Sequence, residues 1–164
     1  MPVFISHRSQ DDALARQIYQ VLNGKHRITC YIDDLDVVAK RIGERAITQY
    51  IVDKLNSCTN ILAVLTPNTQ GSWWVPFEIG VARQSPRFIT TFRQSLPTLP
   101  EYLLEWPVLS SAADLDRFAE MYKEAQLSVT VRRMLTEKTA ADNSAELSEI
   151  DRFHRGLKSA IGQR

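Results

Sequence analysis

The stretch Asn60-Ile-Leu-Ala-Val-Leu-Thr66 places five consecutive apolar residues between two polar ones. A strand with one face in water alternates apolar and polar residues, whereas a strand covered on both faces is apolar throughout. The stretch is therefore predicted to be a central strand of a parallel sheet with helices on both sides. Such a sheet needs further strands and helices before and after it in the chain.

Strand-like and helix-like patterns alternate on both sides of this central strand. Short apolar runs typical of strands occupy residues 3–5, 28–32, 87–93 and 106–110. Helices are predicted between them, beginning near Ser9, Gly43, Trp73 and Asp114. Strands that alternate with helices at this spacing form βαβ units with right-handed crossovers. The sequence thus predicts an α/β domain with a five-stranded, mainly parallel sheet.

Local signals predict where some of these elements begin and end. Ser9 is followed three residues later by Asp12, which is the capping-box spacing, so the first helix is expected to start there. Asn23-Gly24 is expected to end that helix with a left-handed residue. Residues 33–43 carry many charges and are predicted to be an irregular loop, from which Gly43 turns into the next helix.

Three loops are expected to meet at one edge of this sheet. In open parallel sheets, ligands bind outside the carboxyl ends of the strands. The loops at residues 6–11, 33–43 and 67–78 each follow a predicted strand. A functional site is therefore expected where these three loops converge.

Composition argues against several classes of function. Twenty basic and nineteen acidic side chains leave a formal net charge of +1, without the basic stripe of a nucleic-acid-binding surface. No apolar run approaches the length needed to span a membrane. Cys30 and Cys58 have no partners at metal-ligand spacing and are predicted to be free thiols. A cytoplasmic protein is expected, without a bound metal and without nucleic-acid or membrane partners.

Residues 126–164 are predicted to form an extension to a domain that covers residues 1–125. Residues 136–144 are polar and are interpreted as a linker. Apolar side chains then recur at spacings of three and four, which is typical of an amphipathic helix, from Leu147 to Ile161. This helix is expected to pack back on the domain, and self-association through it is the alternative.

Three motifs lie on or directly after these predicted elements. Phe4-Ile-Ser-His-Arg-Ser-Gln-Asp-Asp12 resembles the F-I-S-H/Y-S-x-x-D opening of the Toll/interleukin receptor (TIR) domain family. Trp74-x-x-x-Glu78 resembles the Trp-x-x-x-Glu signature of that family, and residues 33–43 resemble its charged loop. The resemblance covers residues 2–125 and implies a flavodoxin-like three-layer sandwich, here followed by the C-terminal helical extension.

The resemblance implies one of two functions. Some TIR domains are scaffolds that assemble proteins in immune signalling. Others cleave NAD at the nicotinamide ribosyl bond and depend on one glutamate, which aligns with Glu78. Stand-alone prokaryotic members of similar size act in anti-phage defence and make cyclic or modified ADP-ribose signals for a separate effector. The prediction is a NAD glycohydrolase or ADP-ribosyl cyclase that self-assembles and uses NAD as substrate, without a cofactor.

One carboxylate is sufficient for this reaction. Nicotinamide leaves as a neutral molecule from a pyridinium cation, so no general acid is needed, unlike in ordinary glycoside hydrolysis. Glu78 can bond the ribose hydroxyls and stabilise the developing positive charge, or trap the sugar covalently. By the same resemblance, the substrate-binding side chains are predicted to be Ser6, His7, Arg8, Asp36 and Trp74.

Structural roles remain open for several of these residues. Glu78 is alternatively a charge that suits the N-terminus of a helix. Trp74 stacks on a nicotinamide or adenine ring, or it anchors the core. Arg8 reaches the diphosphate, or it is a solvated loop charge. Asp36 belongs to a loop that gates the site or mediates assembly, with a solvated surface role as its alternative.

A third function comes from a different family. Phe77-Glu-Ile-Gly-Val-Ala82 is also similar to the Glu-Ile-Gly helix of nucleoside deoxyribosyltransferases, which use a nucleophilic glutamate on a related fold. The tryptophan pair and the Ser-His-Arg-Ser opening agree less well with that family.

Overall fold

The computed structural model describes residues 2–32, 35–72, 74–84, 87–135 and 140–163. The strands are β1 Val3–Ser6, β2 Cys30–Ile32, β3 Asn60–Leu65, β4 Phe88–Arg93 and β5 Val108–Leu109. The α-helices are α1 Asp12–Tyr19, α2 Leu35–Ile42, α3 Glu44–Asn56, α4 Trp74–Arg83, α5 Ala112–Leu135 and α6 Ala140–Ala160.

The strands form one parallel sheet with the order β2-β1-β3-β4-β5. Strand β3 lies at the centre and every one of its residues is buried, as its apolar run predicts. Five strands and the α/β flavodoxin-like architecture are thereby confirmed. The chain runs outward from β1 to β2 and then returns past β1 to β3, so the topological switch point lies between β1 and β3.

Alternation along the strands divides the core into two layers. Val3 and Ile5 of β1 pack with α1, α5 and α6, whereas Phe4 packs with α2, α3 and α4 on the opposite face. Each fully buried side chain of leucine or phenylalanine size contributes about 1.5–3 kcal/mol to folding. Because Ser6 is two residues after Phe4, its side chain points to the face that carries α4.

The prediction of an irregular loop at residues 33–43 is wrong for residues 35–42, and residues 33–34 lie outside the described residues. Residues 35–42 form α2, and Val38 is buried in the same core as Ile47 and Ile51 of α3. Burial of Val38 stabilises a helix here although the surrounding residues are charged. Packing of an apolar face stabilises a short helix more than helix propensity does. Gly43 has a φ of 87° and turns the chain from α2 into α3, as predicted.

The predicted end of the first helix is also wrong. Helix α1 continues directly into a π-helical segment, Gln20–Lys25, which contains Asn23-Gly24. The left-handed residue is instead Arg27, with a φ of 56°. Its position allows the amide of Ile28 to donate to the carbonyl of Leu22 and so lead the chain into β2.

The predicted N-cap role of Ser9 is not seen at the start of this helix. A 3-10 turn, Ser9–Asp11, precedes α1, and Arg8 occupies its N-cap position. The N-cap position of α1 itself is occupied by Asp11. Ser9 therefore lies in the 3-10 turn that precedes α1, and not at the N-cap position of that helix.

The C-terminal part of the chain covers one side of the sheet. Helix α5 extends to Leu135, beyond the predicted domain boundary at residue 125, and α6 includes residues 140–144 of the predicted linker. The other linker residues, 136–139, lie outside the described residues. Phe153 and Leu157 of α6 are buried in the core with α5 and β4, so this helix packs back on the sheet.

Two side chains from this C-terminal part bond to the backbone of the sheet. Strand β5 pairs only with Thr91 and Phe92 of β4. The amide of Ile89, farther back along β4, donates to Nε2 of His154 at 3.0 Å. The side-chain amide of Gln163 bonds to both the N–H and the C=O of Val108 in β5. These contacts satisfy backbone groups that an edge of a sheet otherwise exposes.

Candidate functional site

Ser6 and Glu78 meet at the carboxyl edge of the sheet. Ser6 is the last residue of β1, and its hydroxyl donates a hydrogen bond to Oε2 of Glu78 in α4. Both residues are buried, and Glu78 has 0% of its surface exposed. The contact lies beside the switch point between β1 and β3, where this type of sheet binds ligands.

Glu78 lies in the second turn of α4 and not in the first. The helix begins at Trp74, and no acidic residue lies in its first turn. A helix dipole acts mainly on charges in the first turn, so the dipole alone does not explain the carboxylate. Burying it is costly unless it is hydrogen-bonded, and the Ser6 hydroxyl supplies one such bond.

Asp11 fastens the two loops that flank this pair. Its Oδ2 accepts from Thr66 Oγ1 at 2.8 Å and its Oδ1 from Asn68 Nδ2 at 2.7 Å. Asp11 follows β1, whereas Thr66 and Asn68 follow β3. The buried carboxylate therefore holds together the loops on both sides of the switch point.

Asp11 is a residue of this site that was not predicted from the sequence, although a signal for it is present. The aspartate of the F-I-S-H/Y-S-x-x-D pattern falls on Asp11. An acidic residue that directly precedes a helix is easily taken for a solvated capping charge. Only the folded chain shows that Asp11 is buried and bonded to residues far away in the sequence.

A second set of bonds shapes the loop between β3 and α4. Thr66 and Thr69 form a capping box at the start of a 3-10 turn, Pro67–Gly71. The amide of Asn68 donates to Thr66 Oγ1, and the hydroxyl of Thr69 donates to the carbonyl of Val64 in β3. This loop fixes the direction in which the chain enters α4, and with it the position of Glu78.

The remaining predicted substrate-binding residues lie in different surroundings. Arg8 is half-buried, and its Nη1 donates to the carbonyl of Asn68 at 3.0 Å. Trp74 is half-buried, one turn before Glu78 on the same helical face, and its ring meets Phe77 edge to face at 6.3 Å. The backbone of Asp36 lies in α2, and its side chain is outside the described residues.

His7 is turned away from Glu78. It follows Ser6 and is buried beside α1, where its Nε2 lies 3.6 Å from Oδ1 of Asp12. Neither ring nitrogen has a hydrogen-bond partner within the part of the chain that the structure describes. Because α1 and α4 pack on opposite faces of the sheet, the structure does not bring the His7 ring to the Ser6–Glu78 pair.

A separate cavity lies on the other flank of α4. Its volume is about 230 Å³, and it is lined by Val75 and Ile79 of α4, by Leu65 at the end of β3 and by the segment that follows β4. Around the helix, position 78 is turned about 60° from position 75 and about 100° from position 79. Glu78 itself does not line this cavity.

The described residues offer little for metal or thiol chemistry. They contain no group of three or more His, Cys, Asp or Glu residues that are arranged to hold a metal ion. Cys30 and Cys58 are buried, and neither forms a disulfide within the described residues. Burial raises the pKa of Cys30 to about 12, so this thiol stays protonated and is a poor nucleophile near neutral pH.

The fold and this edge define the class of protein, an α/β sheet protein whose polar loops surround a buried carboxylate at the switch point. Residues 3–127 match the sequence model of the TIR domain, and the chain belongs to that family. No curated protein matches the chain as a relative. TIR domains act in signalling or cleave NAD, and they commonly self-associate. Within the described residues, no helix has both the length and the apolar character to cross a membrane.

Proposed function

We propose that this TIR domain cleaves the bond between nicotinamide and ribose in NAD, with Glu78 as the catalytic carboxylate. The observation that supports the proposal is the hydrogen bond between Ser6 and Glu78 at the carboxyl edge of the sheet. The expected product is a cyclic or modified ADP-ribose that signals to a separate effector in anti-phage defence. This last step extends the resemblance to stand-alone prokaryotic TIR enzymes.

The proposed chemistry assigns one role to each of these two side chains. The C1′–N1 bond breaks with both electrons going to the pyridinium nitrogen, which leaves as neutral nicotinamide. Positive charge then develops on the ribose, and the Glu78 carboxylate stabilises it. The Ser6 hydroxyl orients the carboxylate through Oε2. Water or a nucleophile of the same molecule then attacks C1′, and its proton passes to solvent.

The Glu78 carboxylate has no exposed surface in this conformation, so NAD cannot reach it without a rearrangement. Trp74 lies one turn earlier on the same helical face and is half-buried. We assign to Trp74 the stacking contact with the nicotinamide or adenine ring. Self-association of TIR domains is the step that we propose opens the site, because the carboxylate must gain access to solvent before it binds ribose.

The remaining predicted contacts are assigned by position. The guanidinium of Arg8 lies close to the loop after β3, where it donates to the Asn68 carbonyl. In the proposed complex it donates to phosphate oxygens of the diphosphate instead. His7 and Asp36 stay predictions as substrate contacts. No cofactor is expected, since NAD is the substrate.

The second candidate function is a TIR interaction module without catalytic activity. The complete burial of Glu78 favours it. A buried carboxylate that accepts a bond from Ser6 also serves to attach α4 to β1, which is a purely structural role.

The test is nicotinamide release from NAD by concentrated protein, with the products separated by chromatography. Glu78→Gln keeps the shape of the side chain but removes its charge, and we expect its rate to fall by about 100-fold or more. Ser6→Ala leaves the carboxylate without its orienting bond, and we expect a loss of about 10-fold. Glu120→Gln on the exposed face of α5 is the control and should keep the wild-type rate.

The outcomes separate the two candidates. Release by the wild type and by Glu120→Gln but not by folded Glu78→Gln supports the enzyme. Equal rates in wild type and Glu78→Gln would show that Glu78 is not catalytic. Intact NAD after long incubation of concentrated wild type, together with capture of a second TIR domain, would favour the interaction module.

A further inference from the structure

A cleft of about 290 Å³ is lined by neither Ser6 nor Glu78. It is bounded by the C-terminal end of α4, the beginning of β4 and one face of α6. The apolar part of its wall includes Trp106 and Ile150, and the polar part includes three arginines: Arg83, Arg87 and Arg155. Arg83 and Arg87 are close together in the sequence, whereas Arg155 belongs to α6, so the packing of α6 brings the third arginine to the other two.

Arg87 is a buried cation without an anionic partner among the residues that the structure describes. Only 8% of its surface is exposed. Its Nε donates to the carbonyl of Leu55 at 3.0 Å and its Nη2 to Oδ1 of Asn56 at 2.6 Å, and both acceptors are uncharged. Its Nη1 is buried without a hydrogen-bond partner among the residues described. Burial accordingly lowers the pKa of Arg87 from its ordinary value.

The other two arginines lie at the exposed rim of the cleft. Arg83 bonds to Glu105 at 2.9 Å and lies 6.0 Å from the centre of the Trp106 ring. Arg155 donates from Nε to the main-chain carbonyl of Asp151 at 3.3 Å. The three guanidinium groups share the lining with two carboxylates, those of Glu105 and Asp151. A net positive charge therefore remains on the wall.

His154 contributes a neutral donor to the same lining. Its Nε2 accepts the hydrogen bond from the Ile89 amide, so its Nδ1 carries the ring hydrogen. Burial lowers the pKa of His154 to about 4, and the ring is uncharged near neutral pH. The polar part of the wall thus offers hydrogen-bond donors, while Trp106 and Ile150 offer an apolar surface.

We propose that this cleft binds a small anion that carries a phosphate or carboxylate group on a flat apolar body. Guanidinium groups bind both anions through paired hydrogen bonds. A buried charge is stabilised when it is paired, and an anion at the floor of the cleft supplies the partner that Arg87 lacks. The apolar body lies against Trp106 and Ile150. The site uses none of the residues assigned to NAD cleavage.

Phenyl phosphate is the probe, and inorganic phosphate and phenol represent its two halves. Binding is followed by heteronuclear NMR through the indole N–H of Trp106, which is assigned with Trp106→Phe. We expect saturable shifts with a Kd of about 1 mM or below for phenyl phosphate. Phenol, which lacks the charge, should bind at least about 10-fold more weakly. Added salt should weaken the binding of phenyl phosphate.

Two arginines of α6 provide matched variants. Arg155→Ala removes an exposed side chain from the rim and is expected to weaken phenyl phosphate binding by about 10-fold. Arg152→Ala removes an equal charge three residues earlier, from a side chain that is 74% exposed and does not line the cleft, and should leave binding unchanged. Arg87→Met should remove binding, and Arg155→Ala still tests the proposal if that variant does not fold.

Three results would overturn the site. The first is that the Trp106 indole signal shows no saturable shift up to about 10 mM phenyl phosphate. The second is that Arg155→Ala binds phenyl phosphate with unchanged affinity. The third is that Arg155→Ala and Arg152→Ala lose affinity equally, which would indicate only diffuse electrostatic attraction. Glu78→Gln should bind phenyl phosphate like the wild type. Loss of NAD cleavage without loss of this binding, or the reverse, keeps the two proposals distinguishable.

Discussion

Asp11 and Arg87 are both buried charged residues, but their surroundings differ. Each carboxylate oxygen of Asp11 accepts a hydrogen bond from a side chain of the loop after β3. Within the described parts of the chain, Arg87 bonds to two uncharged oxygens, and its Nη1 has no hydrogen-bond partner. A buried charge with a complete set of bonds holds structure together, whereas one with an open donor retains capacity to bind an anion.

The two regions also differ in the elements that build them. Loops after β1 and β3 form the carboxyl edge around Glu78, and Asp11 joins them. The region around Arg87 lies under α6, which sends His154 to the backbone of β4. Hydrogen bonds between loops hold one region, and a helix packed against the sheet holds the other. Removing the bonds of Asp11 or of His154 tests this difference.

The largest effect on stability is expected from acid, through His154. Its pKa is about 4 in the folded chain and 6.5 in the unfolded chain. Between these values the unfolded chain binds a proton and the folded chain does not. The contribution of His154 to the free energy of unfolding is therefore fully present above pH 6.5 and is lost as the pH decreases toward 4. The total loss is about 3 kcal/mol. Urea unfolding at a series of pH values measures this loss.

His154→Gln is the control for this pH dependence. The glutamine side-chain oxygen can still accept from the Ile89 amide, but it does not titrate. The variant should lose much less stability on acidification than the wild type. Identical losses in both proteins would mean that other groups cause the acid sensitivity. They would also mean that burial under α6 does not keep His154 neutral in the folded chain.

A smaller effect is expected from Asp11→Ala at the carboxyl edge. The change leaves Thr66 and Asn68 without their charged acceptor and should lower the free energy of unfolding by about 2 kcal/mol. Asp12→Ala is the matched control, because Asp12 is partly exposed and pairs with Arg16 on the surface. We expect it to cost less than about 1 kcal/mol. Denaturant titration compares the two, and equal losses would contradict the role of Asp11 as the bond between the loops.

Much of the fold could be predicted because its signals are local. Five apolar residues in β3 require a strand covered on both faces, and the alternation of strands and helices then requires a parallel sheet. Helix α2 was not predicted, because the local signal is a run of charged residues. What stabilises the helix is the burial of Val38 against α3, which the local sequence does not show. The π-helical segment was missed because Asn23-Gly24 is a strong stop signal that tertiary contacts override.

The site could be predicted only where a motif lies at the end of a predicted element. Ser6 ends a strand and Glu78 lies on a helix at the same edge, so their proximity follows from the parallel sheet. The partners of Asp11 lie 55 and 57 residues away along the chain, and sequence spacing carries no information on such contacts. The same holds for Arg87, whose surroundings depend on how α6 packs.

The smallest effect is expected from Gln163→Ala at the outer edge of the sheet. The Gln163 side chain bonds to both backbone groups of Val108, as a neighbouring strand would. Its loss should lower the free energy of unfolding by about 1 kcal/mol, because water replaces part of the interaction. Lys158→Ala, which removes an exposed bond to the Leu104 carbonyl, should cost less than about 0.5 kcal/mol. If both variants unfold at the same denaturant concentration as the wild type, the C-terminal residues cover this edge without stabilising it.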